Sequence, residues 1–205
     1  QGGVHGYVRL HDAASRPLNL SSAAISCNTP SGRTVTLEKV QARSGGQPLA
    51  LAGKVELPAQ GDPRYDLTLK GENLPFVRQT GLLLRGDLDL KLQTPGTGAP
   101  RLSGTVRLRD SLFLSDIRAY LPRGGGGATR RPPYFEVTTP PVNAWALAVE
   151  VFGEKFMRLR TPVFNGVTSA RFKLSGTLGE PRAIGEIEID EGAVRMPFAR
   201  FEVQQ

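Results

Sequence analysis

Residues 84–93 read Leu84-Arg85-Gly86-Asp87-Leu88-Asp89-Leu90-Lys91-Leu92-Gln93, and this strict alternation limits the chain more than any other feature. In an extended strand, residues two apart share a face. Leu84, Leu88, Leu90 and Leu92 therefore gather on one side and every charge on the other, whereas a helix would scatter the same leucines around its circumference. The same period recurs at 4–10, 49–57, 65–69, 102–108, 145–151, 170–178 and 183–189. Further strands, of less defined phase, are expected at 18–25, 34–42, 156–164 and 196–203. With 24 Gly and 16 Pro in 205 residues, the chain suits short strands joined by turns rather than long helices. The expected fold is all-β and antiparallel, each strand wet on one face and apolar on the other.

Other signals are few. Residues 115–121 carry a capping Ser115 and a terminating Pro122, consistent with one or two helical turns, and 73–78 reads as a turn or loop with apolar side chains. Residues 122–133, with four consecutive glycines and the pair Pro132-Pro133, read as a flexible surface excursion. A domain boundary there is the other reading; the same strand grammar resumes afterwards, which favours one architecture over 1–205. No apolar run is long enough to cross a bilayer as a helix. The start at Gln1, without initiator Met or signal-like flanks, reads as a segment of a longer chain.

A unit of apolar, any, Gly, any, apolar, any, apolar recurs within the strands. It appears as Val4-His5-Gly6-Tyr7-Val8-Arg9-Leu10, at 51–57 and 84–90, as Leu102-Ser103-Gly104-Thr105-Val106-Arg107-Leu108, and at 183–189. Two copies follow a Pro-Arg pair, Pro100-Arg101 and Pro181-Arg182, and close on Asp110-Ser111 or Glu191-Gly192. Such repetition indicates repeated hairpins. In each copy the Gly shares parity with the apolar residues, although an interior Gly weakens a strand. Either it lets a wide sheet bend, or the missing side chain leaves a hollow that a guest fills.

The residues argue against most site chemistry. No nucleophile elbow, phosphate-cradling loop or dinucleotide fingerprint is present, so no enzyme activity and no cofactor are expected. His5 and His11 are spaced for one strand face but read as solvated side chains rather than metal ligands. Cys27, the single cysteine, excludes a disulfide framework and reads as a small hydrophobe. Asp87, Asp89, Glu186, Glu188 and Asp190 alternate with Leu or Ile and read as the wet backs of strands rather than as paired catalytic carboxylates. The net charge of +7 is spread among acidic residues, which argues against a nucleic-acid surface and leaves contact with anionic headgroups open.

The arrangement Leu88-x-Leu90-x-Leu92 … Gly98-x-Pro100-Arg101-Leu102-x-Gly104-x-Val106-x-Leu108 is echoed at Phe172-x-Leu174-x-Gly176 … Glu180-Pro181-x-x-x-Gly185-x-Ile187-x-Ile189-x-x-Gly192. Together with residues 65–74 it resembles the C-terminal region of the TamB family, which belongs with the AsmA-like, bridge-like lipid-transfer proteins of Gram-negative envelopes. The resemblance covers most of 45–203. It implies a curled sheet, or β-taco, whose open apolar groove shields phospholipid acyl chains between membranes. It further implies a periplasmic segment of a chain anchored in the inner membrane, a role in outer-membrane biogenesis, and an outer-membrane barrel of the TamA or BamA type as partner. Neighbouring repeats of the same chain would pair with open edges. The groove lining expected here is Leu67, Leu69, Leu84, Leu88, Leu90, Leu92, Leu102, Val106, Leu108, Leu147, Val149, Phe172, Leu174, Ile187 and Ile189. The alternative is a closed β-sandwich or solenoid, serving as scaffold or adhesin, in which the same apolar faces pack on each other.

Overall fold

The computed structural model describes residues 10–11, 17–28, 33–96, 98–114, 137–196 and 199–204. They form one sheet of eleven strands in sequence order. The strands are β1 (Leu10–His11), β2 (Pro17–Asn28), β3 (Arg33–Ser44), β4 (Gln47–Leu57), β5 (Arg64–Gln79) and β6 (Leu82–Gln93), then β7 (Arg101–Phe113), β8 (Ala146–Arg160), β9 (Phe164–Gly176), β10 (Pro181–Met196) and β11 (Ala199–Gln204). A short 3-10 turn, Val142–Ala144, leads into β8. The sheet is open, and among the described residues no second sheet covers it, which overturns the closed sandwich.

The alternation anticipates most strands, and four details differ. Neighbours pair antiparallel except β7 and β8, which run parallel from Arg101↔Ala146 to Phe113↔Leu159. The chain thus leaves β7 at one end of the sheet and enters β8 at the other, a geometry no hairpin provides. Residues 73–78 are not a loop: they continue β5 past a register shift, because Leu74 pairs with Gly86 and Val77 with Leu84. The expected strand at 156–164 spans the end of β8 and the start of β9, and that at 196–203 spans the end of β10 and most of β11. Asp110-Ser111 and Glu191-Gly192 do not end their strands either; a bulge absorbs the irregularity and pairing resumes. The expected helical turns at 115–121, the excursion at 122–133 and His5 lie outside the described residues.

Directly paired residues share a face, so the register turns the alternation into rows that cross the sheet. One row runs Leu67, Leu92, Leu102, Leu147. The next runs Val40, Leu51, Leu69, Leu90, Gly104, Val149, Leu174, Ala183. A third runs Ala42, Leu49, Gly71, Leu88, Val106, Val151, Phe172, Gly185.

The recurrent glycine now has a cause. Gly53 and Gly104 adopt φ of +135° and +130°, a conformation that residues with a side chain rarely take. A Cβ on Gly104 would collide with the Asp89 carbonyl oxygen and lie 2.9 Å from Leu90 Cα; on Gly53 it would meet the Asp66 carbonyl oxygen and lie 2.8 Å from Leu67 Cα. The space is filled by the neighbouring backbone. Close approach of the neighbouring backbone, rather than a vacancy awaiting a guest, requires the Gly.

Beyond these rows the register slips in strand after strand: between Gly71 and Leu74, between Arg107 and Ser111, between Gly153 and Met157, and between Ile189 and Glu191. Asn73, Asp110 and Lys155 take positive φ at three of these slips. Here the sheet makes its nearest approach to a core. Leu108, Phe156 and Ala170 are buried, and Phe76, Leu84, Val106, Val151, Met157 and Phe172 pack against them.

Candidate functional site

The fifteen residues expected to line a groove carry one parity on each strand, and the register brings them to the same face of the sheet. They differ in what covers them. Leu84 and Leu108 belong to the packed cluster, and Val149 is 4% exposed between its neighbours. Leu67, Leu69, Leu88, Leu90, Leu92, Leu102, Leu147 and Leu174 are half-buried, shielded from the sides but not from above. Ile187 and Ile189 on β10 are 64% and 41% exposed. No large side chain among the described residues is fully buried, as a single layer requires. Apolar side chains thus line one face across β4 to β10 with no protein layer over them in the described structure.

The opposite face is polar and cross-linked. Lys70 and Asp89 form a direct cross-strand ion pair at 2.8 Å, and Gln93 donates to Asp66 at 3.2 Å. Asp87 accepts from Arg109 at 3.1 Å and from the backbone N–H of Asn73 at 2.8 Å, which holds the bulge between β5 and β6. Farther along, Lys155 pairs with Glu191 at 2.8 Å and the Ser169 hydroxyl donates to Asp190 at 2.9 Å. The hydrogen bond and charge of Glu191 raise the Lys155 ammonium above its ordinary pKa, and Lys155 in turn lowers the Glu191 carboxyl. These carboxylates stand among bases and hydroxyls on a wet surface. Among the described residues no group of His, Cys, Asp and Glu is placed to hold a metal ion.

Sequence reasoning missed one feature. At one end of the sheet, the loops before β5, β7 and β8 enclose a cavity of about 520 Å3. Tyr65 and Trp145 meet on its wall with ring centroids 5.1 Å apart and planes tilted by 51°. Parity held a partial signal: Tyr65 lies two residues before Leu67, and Trp145 two before Leu147, so each aromatic shares the apolar parity of the residues that follow it. Their contact across 80 positions of sequence has no local signature, because it depends on β7 and β8 pairing parallel.

A one-layer sheet with a half-exposed apolar face on one side and an ion-paired polar back defines an open single-sheet β protein. The chain belongs to the TamB family: the family model for the TamB C-terminal domain matches residues 38–205, more than three quarters of its length. No curated protein and no solved structure matches it significantly. The family is one of envelope transport and assembly modules rather than of enzymes, and it is associated with TamA. No helix among the described residues is long and apolar enough to cross a membrane.

Proposed function

We propose that this chain is a periplasmic groove segment of a TamB-like protein, carrying phospholipid acyl chains passively between the inner and outer membranes. The observation that carries the reading is the apolar face from Leu51 on β4 to Ala183 on β10, half-buried on most strands and exposed on β10. Each CH2 removed from water gains about 0.8 kcal/mol, so a tail passing from bilayer to such a face exchanges one apolar surrounding for another at little net cost. The seven strands from β4 to β10, at roughly 4.8 Å spacing, give a path on the order of 30 Å. One leaflet's hydrocarbon layer is about 15 Å deep, so the path holds tails end to end. Single rows of Leu and Val offer no deep pocket, which suits sliding better than retention. The chain has no cofactor in this reading, and movement follows the lipid gradient. Residues 1–205 act as one groove unit within a longer chain anchored in the inner membrane. Its edge strands meet neighbouring repeats or an outer-membrane barrel of the TamA or BamA type, in the service of outer-membrane biogenesis.

Native mass spectrometry of the periplasmically expressed chain tests the reading through co-purified phospholipid. Val106→Asp or Leu90→Asp sets an ionised carboxylate against the tail, costing at least about 2 kcal/mol of contact, and should lower lipid occupancy by more than about tenfold. Asp89→Asn, on the opposite face, should leave it unchanged. Equal lipid in wild type and Val106→Asp rejects the groove.

A further inference from the structure

The apolar rows end in a different chemistry at the 520 Å3 cavity. Tyr65 and Trp145 stand two residues along the chain from Leu67 and Leu147, the two ends of one row, and beside them the wall carries one cation, Arg64, and one anion, Asp62. Among the described residues neither charge makes a contact ion pair, although Arg64 stands across the β4–β5 ladder from Glu56. The Tyr65 hydroxyl and the Trp145 indole N–H likewise have no hydrogen-bond partner there. Pro63 and Pro141 stiffen the wall and bring no N–H donors of their own. The volume falls in the range of small-molecule sites, about 300–1,000 Å3.

Resting on the groove reading above, we infer that this cavity seats the zwitterionic headgroup of a phospholipid whose tails lie on the apolar face from the row Leu67, Leu92, Leu102, Leu147 onward. Trp and Tyr suit a boundary where an apolar body meets a polar tip, as the junction of tail and headgroup does. The Arg64 guanidinium matches two phosphate oxygens with two parallel N–H donors. The ammonium goes to Asp62 and to the faces of the aromatic pair, which attract cations. A purely anionic headgroup satisfies Arg64 but sets like charge against Asp62. The free indole and phenol donors reach toward ester or phosphate oxygens.

Trp145 is the only tryptophan, so its fluorescence reports on this cavity alone. The chain is loaded from phosphatidylcholine vesicles bearing a nitroxide on the headgroup or at the tail terminus, freed of vesicles by gel filtration, and assayed for bound lipid phosphate. The headgroup label should quench Trp145 at least about threefold more than the tail label, consistent with a cation-binding aromatic site. Arg64→Gln with Asp62→Asn should abolish that difference while bound phosphate persists. Phosphatidylglycerol with the same tails should quench several-fold less. Bound phosphate with equal or stronger quenching from the tail end overturns the headgroup seat but leaves the groove standing. Equal behaviour of phosphatidylglycerol overturns the zwitterion assignment. A full Trp145 response to soluble glycerophosphocholine makes the cavity a site for free phosphodiesters and overturns the lipid assignment. Absence of lipid phosphate from the purified chain removes the groove reading itself, and this seat with it.

Discussion

Replacing Gly104 by alanine tests the physical reason for the repeated glycine. At φ +130° a residue with a side chain is strained by about 1–3 kcal/mol. The new Cβ also overlaps the Asp89 carbonyl oxygen and stands 2.9 Å from Leu90 Cα, both on β6 at the point where Leu90 pairs with Gly104. Relief requires the two strands to part, with loss of at least one ladder hydrogen bond, about 1 kcal/mol. The sum is roughly 2–4 kcal/mol, a drop in melting temperature of about 5–15 °C for a chain of this size. Gly46→Ala supplies the control. Its φ is +85°, yet a Cβ there meets nothing within 4 Å, so it should cost only about 1 kcal/mol. Urea unfolding followed by Trp145 fluorescence and far-ultraviolet circular dichroism compares the two. If Gly104→Ala melts no lower than Gly46→Ala, close approach of β6 and β7 is not why the position is glycine. The rival account, a hollow kept for a guest, requires that result together with reduced lipid uptake.

Three other measurements probe different parts of the sheet. Phe156→Ala empties a position 7% exposed, packed with Leu108 and Ala170, and should destabilise the chain by about 3–5 kcal/mol in urea titration; a change under about 1 kcal/mol would deny that the cluster anchors the bulged region. An NMR titration should place the Glu191 carboxyl below the ordinary glutamate range and return it there in Lys155→Met. Since folding lowers the pKa of Glu191, its contribution to stability is present above the unfolded value and fades as pH falls through the folded one. That of Lys155, whose pKa is raised, fades only in alkaline solution as pH rises through its folded pKa. Thr105→Cys with Glu150→Cys should crosslink under mild oxidation, since these residues pair directly in the parallel register of β7 and β8; an antiparallel pairing would leave the thiols apart.

The period of two in Leu84 to Gln93 was enough to make β6 a strand, to put Leu88, Leu90 and Leu92 on one face and to put Asp89 on the other, where Lys70 holds it. Faces are local properties: they follow from backbone geometry within one strand and need no partner. For the same reason the groove candidates were legible as a set, but not their differing cover. Leu84 and Leu90 look alike in sequence, yet one packs on the cluster around Leu108 while the other lies half-exposed. Residues 73–78 misled because Asn73, Pro75 and the neighbouring glycine carry turn chemistry; the fold uses that chemistry for a bulge inside β5.

Alternation in the chain alone therefore determined that it would be strands with one oily side and one charged side, and the recurring glycines marked where a neighbouring strand's backbone comes too close for a side chain. Whether the oily sides would close on each other or stay open, that β7 would run alongside β8 in the same direction, and that Tyr65 would meet Trp145 were left to the tertiary structure. The physical reason is range. A strand's own dihedral angles decide where its side chains point, but which strand lies beside it is decided by pairing between residues far apart in sequence, which no local period encodes.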